Sequence, residues 1–211
     1  MGILKLYRGK ELSLNKTPES EEINLTFNKG DIAIDCGANV GLVTDHFQNA
    51  GLKVYSFEPN LHAYNILEKR FRNNSNVFCL PKGVTSNSKA GPAKLFFHQE
   101  ANKDHVLYST GSSTASDKNN INKDNFVVVE MVGISNFIKN LNQPVKIIKI
   151  DVEGTEADVL NDLFDSGLIY EIEHILVETH EKKVPSSREP LRLLRERIEK
   201  ENLKNVHLDW V

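Results

Sequence analysis

Cysteine is scarce: 211 residues contain two, Cys36 and Cys79. They stand in neither a CxxC nor a Cys/His zinc spacing, which excludes a disulfide framework and a structural zinc cluster. Each is expected as a small buried hydrophobe of a reduced protein. Long apolar runs are also missing: none approaches the ~18 residues needed to cross a bilayer. The opening Met1-Gly2-Ile3-Leu4-Lys5-Leu6 lacks a signal-peptide core, and Leu6 stands where a myristoylation signal needs Ser or Thr. The expectation is a soluble, cytoplasmic protein without an integral membrane segment. A basic excess is absent as well. With 26 Lys and Arg against 29 Asp and Glu, the net charge is -3, which argues against a nucleic-acid partner. Hydrophobic residues make up 39% of the chain, enough for a core under a polar surface.

At about 150 residues per domain, the length predicts a single domain over 1–211, with 1–29 as a lead-in. From Asp31 onward, strand-like and helix-like segments alternate. Strands are predicted at 31–35, 53–57, 76–80, 126–132, 145–150, 174–178 and 204–211. Helices are predicted at about 40–50, 61–72, 134–141, 155–166 and 188–200, with Gly51 and Gly167 as C-terminal caps. The segment 81–125 reads as a long, loop-rich insertion on the substrate side, with one short strand at 93–98. This alternation predicts an α/β fold, a mostly parallel sheet with helices on both faces.

Four motifs fall at strand ends. Asp35-Cys36-Gly37-Ala38-Asn39-Val40-Gly41 is a strand, a glycine turn and a helix start, the arrangement that cradles a cofactor against free backbone N–H groups. It lacks the middle glycine of a Gly-x-Gly-x-x-Gly dinucleotide fingerprint. At the next strand end stands Phe57-Glu58-Pro59-Asn60, whose acid is placed to accept hydrogen bonds from the ribose of an adenosine-containing cofactor. The third motif is Ile148-Lys149-Ile150-Asp151-Val152-Glu153-Gly154, and the fourth is Val177-Glu178-Thr179-His180. If the last two strands neighbour the first, Asp151, Glu178 and His180 converge on the cradle, since adjacent strands lie about 5 Å apart.

In order and content, these four motifs resemble those of FkbM-type S-adenosylmethionine-dependent methyltransferases, over about residues 30–182. The resemblance implies a Rossmann-like class I methyltransferase sheet. It implies S-adenosyl-L-methionine as cofactor, with Gly37 to Gly41 around its methionine part, Glu58 on its ribose and Asp151 near the reacting methyl. The candidate cofactor residues are therefore Asp35, Gly37, Ala38, Asn39, Gly41, Glu58, Pro59, Asn60 and Asp151. Ser112 and Ser113 join them because Gly111-Ser112-Ser113 resembles a short stretch in many members. The implied reaction is O-methylation of a hydroxyl on a sugar, glycan or natural product. Two departures stand out. Ile134-Ser135 occupies a place where members often carry Leu-Asp, and one final strand replaces the usual closing antiparallel pair, which leaves a sheet edge incomplete or open to a partner or second copy.

For catalysis, His180 is expected as general base, oriented by Glu178, with Asp151 positioning acceptor or cofactor. Alternatively Asp151, Glu178 and His180 hold a divalent metal that lowers the pKa of the acceptor hydroxyl. Glu153 is as readily a helix N-terminal cap as a catalytic group. An NAD-dependent oxidoreductase on the same sheet type and a cofactor-binding module without activity are the competing classes.

Overall fold

The computed structural model describes residues 2–7, 22–101, 111–208 and 210. The chain opens with two antiparallel strands, β1 (Gly2–Tyr7) and β2 (Glu22–Phe27). Then come β3 (Ile32–Cys36), α1 (Leu42–Asn49), β4 (Lys53–Phe57), α2 (Leu61–Phe71), β5 (Val77–Leu80), β6 (Gly83–Thr85) and β7 (Gly91–His98). The second half runs β8 (Ile121–Gly133), α3 (Ile134–Leu141), β9 (Val145–Ile150), α4 (Glu156–Ser166), β10 (His174–Val177), α5 (Arg188–Lys200) and β11 (Val206–His207).

Six strands form one sheet in the order β11-β10-β9-β3-β4-β5, and every pairing is parallel. Its strands are apolar on both faces because helices cover both. Ile32, Ile34, Ile148, Ile150, Ile175 and Val177 pack in one layer with residues of α3, α4 and α5. Ala33, Val54, Ile147 and Leu176 point the other way, into a layer with Phe47, Leu67, Phe71, Leu25 and Phe27. Each such side chain contributes about 1.5–3 kcal/mol when fully buried. The predicted face of α2, Ala63, Leu67 and Phe71, is the buried one, and the Asn60 side chain caps this helix by accepting from His62 N at 3.0 Å.

Strand order decides where a ligand can sit. The chain winds from β3 out to β5 on one side, then returns to build β9, β10 and β11 on the other. The reversal between β3 and β9 opens a crevice at the carboxyl ends of the strands.

Several expectations need correction. The 81–125 segment is not a plain loop: β6, β7 and β8 form a separate sheet in the order β6-β8-β7. Strand β8 begins at Ile121, earlier than expected, because Asn122, Lys123 and Asp124 lie on an exposed stretch that no apolar alternation marks. Residues 102–110 of this segment lie outside the described residues. The strand expected over 204–211 is only Val206–His207, parallel to β10, and Asp209 and Val211 lie outside the described residues. Cys36 is buried as expected, whereas Cys79 is half-buried. The Ile134-Ser135 departure is accommodated locally. Asp162 of α4 accepts from Ser135 N at 2.9 Å, so a carboxylate still meets the N-terminus of α3, and Asn87 Nδ2 donates to Ser135 Oγ at 2.6 Å.

Candidate active site

The turn after β3 needs backbone conformations that few residues adopt: φ is +79° at Gly37, +50° at Asn39 and +87° at Gly41. The absent side chains also make room. A Cβ on Gly37 would lie 1.8 Å from the Asp151 carbonyl oxygen, and one on Gly41 would lie 2.6 Å from Phe71 Cε2. These glycines thus let β9 and α2 close on the turn, a reason for glycine beyond the ligand approach expected from the motif. Gly37 N and Ala38 N both donate to the Phe57 carbonyl, at 2.9 and 2.8 Å, tying the turn to the end of β4.

Glu58 follows β4 and is 6% exposed. Its Oε2 accepts from Asn39 N at 2.8 Å and its Oε1 from Asn60 N at 2.7 Å. Burial pushes the carboxyl up to about 7 against the pull of those two N–H groups and of Lys149. Gly37, Asn39, Glu58, Pro59, Ser112, Asp151 and Glu153 line one cleft, with Val84, Leu95 and Met131 as its apolar wall. Ala38, Gly41, Asn60 and Asp35 do not line it. Asn60 donates from Nδ2 to Ser112 Oγ at 3.1 Å, and Ser113 Oγ donates to the Glu153 carbonyl, so the Gly-Ser-Ser stretch is docked across the cleft by both motifs.

Asp35 is 0% exposed and faces inward. Its Oδ2 accepts from Thr44 Oγ1 at 2.7 Å, and its Oδ1 lies 3.3 Å from Lys149 Nζ. Lys149, which sequence reasoning missed as a site residue, is 3% exposed. It is register-paired with Asp35, donates to the Gly37 carbonyl at 2.7 Å and lies 3.4 Å from Asp151 Oδ2. Burial pulls its ammonium down, but Asp151 and Asp35 more than offset this and hold the pKa above the ordinary lysine value. The available signal was a lysine inside the run Ile147-Ile148-Lys149-Ile150, which a buried strand tolerates only with partners.

β9 lies between β3 and β10, so Asp151, Glu178 and His180 do converge: one ligand-type atom from each lies within 4.8 Å of the others. The closest partner of His180 is one the sequence did not single out. Its Nδ1 lies 2.8 Å from Oε1 of the fully buried Glu156, in the first turn of α4. The Nε2 side faces Glu153 Oε2 at 3.2 Å, Glu178 Oε1 at 3.5 Å and Asp151 Oδ1 at 3.8 Å. Burial pulls the imidazole down, but the hydrogen bond to Glu156 and the negative charges of Glu178, Glu153 and Glu156 raise it to about 10. The acids around it favour the protonated imidazole, and Glu153, Glu178 and Asp151 stand beside its Nε2. Burial, then crowding by Glu178 and Glu153, pushes Asp151 above the usual range against the pull of Lys149. Glu153 does not cap α4: it has φ +55°, and its carboxylate pairs with the buried Lys118 at 2.8 Å. Lys118 comes from a polar loop that carried no sequence signal.

A parallel sheet with a glycine turn, a ribose-type acid at the second strand end and polar groups at the third and fourth defines a Rossmann-like class I methyltransferase fold. The methyltransferase FkbM domain matches residues 35–200, and the chain belongs to this family. It is an S-adenosylmethionine-dependent methyltransferase, which displaces the nicotinamide alternative. No significant match to a curated protein or to a solved structure was found. Among the described residues, no helix is long and apolar enough to cross a membrane. The lining of the cleft, a buried carboxylate, an apolar wall and further acids, fits such a cofactor chemically.

Proposed function

We propose that this chain transfers the methyl group of S-adenosylmethionine to a hydroxyl oxygen of a sugar, glycan or natural product. The observation carrying this reading is the convergence of Asp151, Glu178 and His180 beside the cleft. A hydroxyl is a weak nucleophile that must lose a proton as it is methylated, and a dense acid and imidazole cluster serves that need. In this reading residues 1–211 act as one methyltransferase domain, with the 81–125 segment on the acceptor side.

Glu58 holds the ribose, Gly37 and Asn39 carry the turn around the methionine part, and Ser112 closes the opposite side. Bound S-adenosylmethionine supplies an electrophilic methyl on a sulfonium sulfur, which keeps the electron pair when the methyl leaves for the acceptor oxygen. Asp151 and Glu178 orient the acceptor hydroxyl, and a carboxylate of the cluster takes its proton. His180 holds those carboxylates in place.

The test is a screen of sugars, glycans and polyhydroxylated natural products for the mass gain of one methylene, with the position read by NMR. An O-methyl product is expected, and methylation only at nitrogen or carbon overturns the reading. His180→Ala should abolish turnover while leaving cofactor affinity nearly intact, and joint loss of both would remove its assigned role.

The Glu58 carboxyl, raised to about 7, makes cofactor binding pH-dependent. Ribose hydroxyls donate best to the ionised form, so affinity should rise as pH increases from 6 to 8, by about five- to tenfold for a group titrating at that position. The stability term runs the other way: a buried acid with a raised folded pKa loses stability as pH climbs from the unfolded value toward 7. Calorimetric titration should find Glu58→Gln weaker and flat across this range, and a flat wild-type profile would contradict the ribose assignment.

A further inference from the structure

The acids near His180 outnumber the cations facing them. Asp151, Glu153, Glu156 and Glu178 gather there, while Lys149, 3.4 Å from Asp151, is shared with Asp35, and Lys118 is engaged by Glu153. The surplus negative charge is partly buried, where it is costly unless a cation answers it.

A second observation points to what answers it. His180 is 3% exposed, and its Nε2 has no hydrogen-bond partner although three carboxylate oxygens surround it. Those oxygens lie at 3.2, 3.5 and 3.8 Å, close in distance but without hydrogen-bond geometry. On the far side of the ring, Nδ1 is fixed by Glu156 at 2.8 Å, and Glu156 is held in turn by Gly154 N at 2.9 Å. A histidine anchored through one nitrogen by a buried carboxylate, with the other aimed at acids, has the form of a metal-ligating histidine with its orienting carboxylate.

We propose that Asp151, Glu178 and His180 bind a divalent cation at the inner side of the cleft, with Glu156 as the positioning residue that presents His180 Nε2 to it. Ligand bonds of about 2.1 Å set donor atoms about 3.0 Å apart at right angles and about 4.2 Å apart when opposed. The Nε2 separations from Glu178 and Asp151, 3.5 and 3.8 Å, fall inside that window. The cation takes the place of a proton on Nε2 and offsets the carboxylate excess. Two carboxylates and one imidazole suit an ion such as Mn2+, and three protein ligands leave positions for substrate oxygens. The purpose of the site rests on the hydroxyl-methylating reading: the cation orients the acceptor hydroxyl and lowers its hold on its proton.

The test uses the full chain, stripped of metal and titrated with Mn2+, read by loss of the free-ion electron paramagnetic resonance signal and by calorimetry. One Mn2+ per chain is expected. Glu178→Gln should lower affinity at least about tenfold, and Glu156→Gln about 10- to 100-fold, the usual effect of losing an orienting partner. Glu173→Gln, an exposed acid on a different surface, should change nothing. Where Glu178→Gln does not fold by circular dichroism, Glu156→Gln decides. Absence of Mn2+ uptake up to millimolar concentration, or uptake indifferent to the deciding variants, overturns the site. Titration of the same samples with S-adenosylmethionine keeps the two readings apart. Cofactor binding without Mn2+ binding rejects the metal site and leaves the methyltransferase reading standing, while Mn2+ binding without cofactor binding does the reverse.

Discussion

Lys149→Met should cost about 3–5 kcal/mol of folding stability, the penalty of leaving buried charges without their counter-ion. Its ammonium lies 3.3 Å from Asp35 Oδ1 and 3.4 Å from Asp151 Oδ2 and donates to the Gly37 carbonyl at 2.7 Å. Without it, Asp35 keeps only the Thr44 hydroxyl at one oxygen, inside a layer that water does not reach. Methionine fills the volume, so the loss is electrostatic and not a cavity. Denaturant unfolding should show a lower midpoint at an unchanged slope. Lys146→Met is the control on the same strand: that lysine pairs with Glu173 near solvent, and such pairs contribute about 0–1 kcal/mol. Adding Asp35→Asn to Lys149→Met should recover part of the loss, because the two positions share one interaction. A Lys149→Met protein as stable as the Lys146→Met protein would remove the central role given to this lysine.

Gly37→Ala should be the most damaging single-atom change in the cofactor turn. The residue has φ +79°, and the new Cβ would lie 1.8 Å from the Asp151 carbonyl oxygen, a backbone atom that cannot swing aside. Either the turn leaves its place at the end of β3 or β9 shifts, and both move groups lining the cleft. Gly30→Ala separates the two costs: Gly30 has φ +91° with nothing within 4 Å of the added carbon, so it carries only the left-handed penalty of roughly 1–2 kcal/mol. The Gly37 variant should exceed about 4 kcal/mol and lower S-adenosylmethionine affinity by more than about tenfold, equivalent to about 1.4 kcal/mol. Thermal melts and calorimetry measure both. Equal behaviour of the two variants would show that the close approach to Asp151 is not what demands glycine.

These two residues show where sequence reading was strong and where it was blind. Gly37 was legible because a strand, a turn and a helix start are local, and the glycine spacing can be read within a few positions. Glu58, Asp151, Glu178 and His180 were legible for the same reason, each falling where an apolar strand stops. Lys149 stands inside its motif with no local sign of its role, since its partner Asp35 is more than a hundred residues earlier and meets it only by strand pairing. Glu156 looked like an ordinary acid in a helix first turn, favourable to the dipole. That it grips His180 depends on how α4 lies against the end of β10. Strand β8 began early because its first residues are polar and exposed, so no alternation announced it.

The sequence by itself determined the alternation of strands and helices and the set of acids at the strand ends, which follow from short-range periodicity and spacing, while its ordered motifs carry the resemblance to the family. Only the tertiary structure decided that β9 stands between β3 and β10, that Lys149 neutralises Asp35 and Asp151, and that His180 is held by Glu156 with its other nitrogen turned to three carboxylates. The physical reason is that charge balance in a buried site is a sum over residues brought together from distant parts of the chain, and a linear pattern carries no record of which strands will be neighbours.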